Sequence, residues 1–331
     1  MPDLGPTAVL AVVPALLYLA VLRAIDRYEP EPWTFILAAV GLGALAAPVL
    51  SMAVLAALGY PASLPGEAAL TGPVPAIVEQ VVKGVLLLLL IHAIRDTFDD
   101  VVDGIVYGAA LGAGFAMTQS FLLLAAPNQL GLGTVGVLIA GMNQAFYSAV
   151  VGGIVGLAAS LPRRDQYWIV VALGIATAAF LDALHDGVPF MIARLAHRPD
   201  AALSLLTRGI AFAVNVAGLV TLAVVVVGAW RRERRIVAVE LHDEAENGVI
   251  PDDEIATLVS QRQRLEAQRQ AWGRGGLAAV RGLRRLYDLE AALAFHKWRV
   301  RRRPNAGADA EADAMRARIR DLRGQLEGPE E

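Results

Sequence analysis

Long apolar stretches, separated by short polar or proline-containing intervals, fill the first 230 residues of the chain. A bilayer core takes about 20 mostly apolar residues per helix. Seven stretches meet that need, near 6–22, 33–59, 73–94, 101–126, 132–160, 166–186 and 203–230. In lipid the backbone satisfies its own polar groups only as helices or closed barrels. Stretches of this length and Leu, Val, Ala and Gly content predict helices. Small-residue runs at Gly104, Gly108, Gly112 and at Gly152, Gly153, Gly156 would let neighbouring helices approach closely. The segment 187–198 is too short and too polar to span, and reads as interfacial or re-entrant.

After residue 230 the pattern changes. Residues 236–331 read as a helical tail. Pro251 suits a first helical position, and Asp252, Asp253 and Glu254 complement a helix N-terminus. Leu277, Val280, Leu283, Leu286, Leu289 and Leu293 recur at three- and four-residue spacing, an amphipathic stripe. Arg301, Arg302, Arg303 and Pro304 should close that helix. A linker over 305–313 and a last helix over 314–327 are expected. The predicted fold class is all-α. It is a polytopic membrane bundle of about seven spans (1–235) followed by a soluble, cytoplasmic helical tail (236–331).

Charge sharpens this division. Of 331 residues, 56% are hydrophobic and 18% charged, and 38 of the 61 charged side chains lie beyond residue 230. Average soluble domains carry roughly 25% charged residues. The net charge of −3 gives no electrostatic case for a nucleic-acid partner. The absence of cysteine excludes disulfides, thiolate ligands and a Cys nucleophile.

The first stretch lacks a basic leader. Arg23 and Arg27 follow it, so it reads as an uncleaved span. With seven spans, Arg23, Arg27, Arg95, Arg163, Arg164, Arg231, Arg232, Arg234 and Arg235 fall on one side. Arg194 and Arg198 run against the pattern. The positive-inside rule then predicts an outside N-terminus and an inside C-terminus, in the cell membrane.

Ionisable groups inside lipid are costly, and each is a functional candidate. Glu79 and Lys83 lie four residues apart on one helix face, with Gln80 beside Glu79. Gln119 falls in the fourth stretch, and Asn143 and Gln144 in the fifth. Asp182 and His185 fall in the sixth, with Asp186 at its end. Three-residue spacing would let the Asp182 carboxylate orient the His185 imidazole. At about 1.5 Å per residue, Glu79, Gln119, Gln144 and His185 reach compatible depths in the outer half of the membrane. A buried polar network that only ties the helices together is the competing reading.

Several segments carry a family likeness. They are AIDRYEPEPWTFILAAVGLGALAAP (24–48), PAIVEQVVKGVLLLLL (75–90), FDDVVDGIVYGAALGAGFAMTQSF (98–121), NQAFYSAVVGGIVGLAAS (143–160) and LDALHDGVP (181–189). Together they resemble the PrsW family of intramembrane proteases, related to the CAAX-protease and bacteriocin-processing enzymes. The resemblance implies a catalytic set on the third to sixth spans. Where the family has Glu-Glu-x-x-Lys, this chain has Glu79, Gln80 and Lys83. Where it has Phe-x-x-x-Glu, this chain has Phe115 and Gln119. Gln144 stands at a family histidine, and His185 is retained.

Glutamine keeps the shape of glutamate but can neither carry its charge nor take up a proton near neutral pH. A zinc-like ion takes imidazole, carboxylate or thiolate ligands, so one Glu and one His underfill such a site. No cofactor is therefore expected, and metal binding would need Asp182 or Asp186 to stand in. Three functional readings follow. The first is a catalytically depleted relative that binds a membrane-spanning protein client. The second is a working endopeptidase with Glu79 as base and His185 at the oxyanion. The third is a transporter with a midplane Glu79–Lys83 pair, for which the sequence offers no internal repeat.

Overall fold

The computed structural model describes residues 4–25, 31–60, 72–95, 97–98, 100–125, 134–159, 161, 164–187, 201–302 and 308–327. Among them every regular element is helical. The membrane part comprises α1 (Leu4–Ile25), α2 (Trp33–Gly41), α3 (Ala47–Ala57), α4 (Pro73–Ala93), α5 (Val101–Ala125), α6 (Thr134–Ala159), α7 (Arg164–Asp182) and α8 (Ala201–Glu240). Seven helices are long and apolar enough to cross a membrane, with α2 and α3 forming one of them. The predicted segment 187–198 lies, beyond Gly187, outside the described residues.

Two helices are interrupted by π turns. Leu42–Ala46 joins α2 to α3, and Ala183–Gly187 extends α7. A π turn widens the helix by one residue and changes which side chains share a face.

The centre of the membrane unit is the α5–α6 pair, which runs antiparallel in near backbone contact. A Cβ built on Gly104 would lie 2.0 Å from the Gly152 carbonyl oxygen. One on Gly108 would lie 2.2 Å from that of Ser148, and one on Gly112 would lie 2.3 Å from that of Gln144. No side chain fits at those distances, so this register requires the predicted small-residue stripe on α5. The other side of α5 meets the first π turn as closely. A Cβ on Gly43 would fall 1.9 Å from the Leu111 carbonyl oxygen. Thr118 donates to the Ala44 carbonyl at 2.6 Å, one residue before Gln119. Helix α4 starts where Gly72 takes a φ of 132°, open to glycine, and Pro73 follows at the first turn.

Contacts divide the chain into two compact units. One contains α1 and residues 31–226, and the other begins at Val227, inside α8. The second unit adds α9 (His242–Glu246), α10 (Asp252–Val259), α11 (Gln261–Arg302) and α12 (Ala308–Glu327). Pro251 proves to be the N-cap of α10, with extended backbone, rather than its first helical residue. Helix α12 begins at Ala308, well inside the expected linker. Asp309 and Glu311 stand in its first turn, which favours initiation there.

Leu241, Ile250, Leu258, Leu286, Leu293 and Ile319 form the core of this unit. Buried acids are each met by arginine or lysine. Glu244 accepts from Lys297 at 2.8 Å and from Arg316 at 2.7 and 2.9 Å. Arg323 lies 2.5 Å from Glu254 and 2.7 Å from Glu290. The second oxygen of Glu290 is buried without a hydrogen-bond partner.

Burial, with the charge of Glu254 beside it, pushes the Glu290 carboxyl up to about 8 against the attraction of Arg323. The folded tail thus holds a proton that the unfolded chain releases near 4.5. Stability contributed by this proton is present at low pH and falls as pH rises to about 8. Glu290→Gln should therefore stabilise the tail at about pH 9, by on the order of 5 °C in its unfolding temperature. It should change little at about pH 5. Thermal unfolding of the full chain, followed by hydrogen exchange across α11, checks this. Equal pH dependence in both proteins contradicts it.

Candidate functional site

Helix α4 presents Glu79, Gln80 and Lys83 to the protein interior, and all three are buried. Each engages a different neighbour. Gln80 donates its amide to the Asp182 carboxylate on α7 at 2.6 Å. Lys83 donates to the side-chain oxygen of Gln144 on α6. The Lys83 ammonium also stands 4.4 Å from the centre of the Phe115 ring on α5, a cation–π distance. Glu79 lines a small cavity of about 30 Å³ with Ser51, Phe115 and Gln119, between α3, α4 and α5. That space is enough for a water molecule. The buried Ser51 hydroxyl has no protein partner.

His185 sits in the second π turn, between two asparagines. Asn143 on α6 lies 2.8 Å from Nε2, and Asn215 on α8 lies 3.1 Å from Nδ1. Asn215 also reaches the Tyr147 hydroxyl at 2.9 Å and the Asn143 oxygen at 3.4 Å. A neutral imidazole has one N–H and one acceptor lone pair. Both asparagines turn their NH₂ groups toward the ring, and the Asn143 oxygen faces the Asn215 NH₂. The ring nitrogen that carries the lone pair accepts from the asparagine facing it.

The predicted residues thus fall into one connected polar system drawn from α4, α5, α6, α7 with its π turn, and α8. Glu79 and Gln119 share the cavity. Phe115 joins that cavity to Lys83, Lys83 leads to Gln144, and its neighbour Asn143 leads to His185. Asp182, expected to orient the imidazole, accepts from Gln80. The π turn begins one residue after Asp182, so simple three-residue helical spacing does not describe the pair. The described side chains do not include Asp186. The sequence reading missed Asn215. It is the one amide within the apolar run from Gly209 to Trp230, and a polar side chain in such a run is the available signal.

A second buried polar contact lies elsewhere in the same unit. The Tyr107 hydroxyl on α5 donates to Glu31 at 2.5 Å, just before α2. It ties the start of one span to the first third of another.

A polytopic helix bundle with polar side chains from five helices converging inside its apolar zone defines a class of intramembrane protein with an interior site. The comparisons define it further. The model of the PrsW family, described as intramembrane metalloproteases, matches residues 31–227. Protease PrsW of Geobacillus kaustophilus (strain HTA426) is 31% identical over 160 residues, covering 48% of this chain and 69% of that protein. No solved structure matches. The chain belongs to the PrsW family.

The family description implies a metal, and the donors among the described side chains do not suit one. Among the described residues no three His, Asp or Glu side chains are grouped to hold an ion. The His185 nitrogens face amides, Asp182 receives the Gln80 amide, and the Lys83 ammonium bonds Gln144 inside the system. A divalent cation placed there would meet ammonium repulsion with little carboxylate to offset it.

Gln80→Glu tests this balance. It would set two carboxylates about 2.6 Å apart, where they cannot both ionise without a cation. The variant should lose stability, relative to wild type, as pH rises from about 5 to 9. A thermal-shift series in detergent micelles reads this. Unchanged pH dependence would show that the Gln80–Asp182 contact does not form.

Proposed function

We propose that this protein is a hydrolytically depleted member of the PrsW family. It would receive a membrane-spanning protein client in its polar interior without efficient cleavage. The observation that carries this reading is the occupation of the site by amides. Gln80, Gln119, Asn143, Gln144 and Asn215 surround Glu79, Lys83, Asp182 and His185. Hydrolysis needs an activated water, a proton acceptor and stabilisation of an oxyanion. Amides can bind a peptide group but cannot move a proton near neutral pH. The Gln80 carbonyl oxygen is buried and has no protein partner.

The protein would lie in the cell membrane, with the N-terminus outside and the tail in the cytoplasm. The motivation is the arginine distribution between spans.

A second reading, an active endopeptidase, is favoured by one feature. Glu79 borders a cavity of about 30 Å³, the placement a general base needs beside its water. His185 would then stabilise the oxyanion.

Full-length protein reconstituted with a reporter transmembrane helix separates the two. The depleted reading expects wild type and Glu79→Ala to cleave equally little and to retain the reporter equally on co-purification. It expects Gln80→Glu, Gln119→Glu and Gln144→His together to raise cleavage by orders of magnitude. Wild-type cleavage that Glu79→Ala abolishes would establish the endopeptidase instead.

A further inference from the structure

The tail carries a surface that neither the family membership nor the interior site employs. Residues 261–285, the first part of α11, contain seven arginines and one glutamate. Six of those arginines are exposed. Arg262 pairs with Glu266 at 3.3 Å, and Arg284 donates to Gln268. Arg269, Arg274, Arg281 and Arg285 have no acidic partner among the described residues.

Apolar side chains share the surface. Trp272 is 60% exposed, Leu277 50% and Leu265 48%. At 100° per residue, Arg262, Leu265, Arg269 and Trp272 fall within an arc of about 80°. Arg264, Ala267, Gln268 and Ala271 occupy the opposite side and are partly buried. The helix breaks at Gly275 and Gly276, where Gly276 takes a φ of 60°. Beyond the break, Leu277, Arg281 and Arg285 repeat every four residues along one exposed face.

We propose that this face of α11 docks on the anionic lipid surface of the bilayer that the protein spans. Three observations choose that occupant. Exposed Trp and Leu interleaved with Arg match headgroup chemistry: the aromatic ring and alkyl stems enter the interface while guanidinium groups stay at the phosphates. Three arginines of this face without acidic partners, Arg269, Arg281 and Arg285, complement anionic headgroups, each strengthening attachment by about fivefold. The tail is also continuous with the spanning helix α8, so a bilayer surface is always present at high effective concentration.

The chain has no cysteine, and a Cβ on exposed Gly273 would meet nothing within 4 Å. Gly273→Cys therefore offers a single labelling site beside Trp272. The full chain, carrying an environment-sensitive fluorophore there, is placed in nanodiscs of phosphatidylcholine alone or with about 30% phosphatidylglycerol. Both leaflets are then accessible.

Docking predicts a blue shift, and quenching by spin-labelled lipid, in the anionic discs only. Salt at about 0.5 M should reverse both. Replacing Arg269, Arg281 and Arg285 together with Gln should abolish both. Equal signals in the two lipid compositions, or none in either, overturn the proposal. So does a label already shielded in lipid-free amphipol, which would mean that protein covers this face.

Discussion

A polar side chain inside a bilayer has no water to turn to, so its hydrogen bonds must be made within the protein. That constraint governs the interior of this molecule. Lys83 supplies donors, and Gln144 answers with an oxygen. Asp182 supplies acceptors, and Gln80 answers with an NH₂. His185 lies between the NH₂ groups of two asparagines. Amides suit this task because each offers both a donor and an acceptor without charge. The result is a system that is largely satisfied from within. A hydrolytic centre differs in kind, because it holds groups that are left ready to bind an ion or take a proton.

Close helix packing makes these contacts geometrically available. The α5–α6 register places Gly112 against the backbone of Gln144, so α6 lies close enough for that side chain to reach Lys83 on α4. The π turn at Ala183–Gly187 then brings His185 to Asn143 and Asn215, while Asp182 meets Gln80. Satisfaction of the polar groups and close approach of the helices depend on each other. Widening the α5–α6 gap would leave Lys83 and Gln144 apart in lipid, at the cost of unsatisfied buried groups.

Much of this was legible in the sequence, for identifiable reasons. Span boundaries follow from apolar length, and the observed helices fall within a few residues of them, except that α8 continues ten residues beyond its predicted end, to Glu240. The glycine stripes announced the close pair because only small residues permit such an approach. Glu79, Gln80, Lys83, Gln119, Gln144 and His185 stood out because polar groups in apolar helices are rare. Their pairing was less legible. Helical spacing assumes a constant 3.6 residues per turn, and a π turn breaks it without a marker in residue type, so the contact of Asp182 with Gln80 was not foreseen. Asn215 was overlooked as one amide in a long apolar run. In the tail, the hydrophobic stripe revealed α11. The start of α12 was placed too late, because its alanine- and acid-rich first turn looks like a linker.

The central claim is that amides, and not a metal ion, satisfy the interior polar groups. Zinc binding to the purified full-length protein tests it most directly. It would be measured by elemental analysis and by titration after chelation, on wild type beside Glu79→Ala and His185→Ala. The account predicts substoichiometric zinc that neither substitution changes. One tightly bound zinc per chain, lost in both variants, would contradict it.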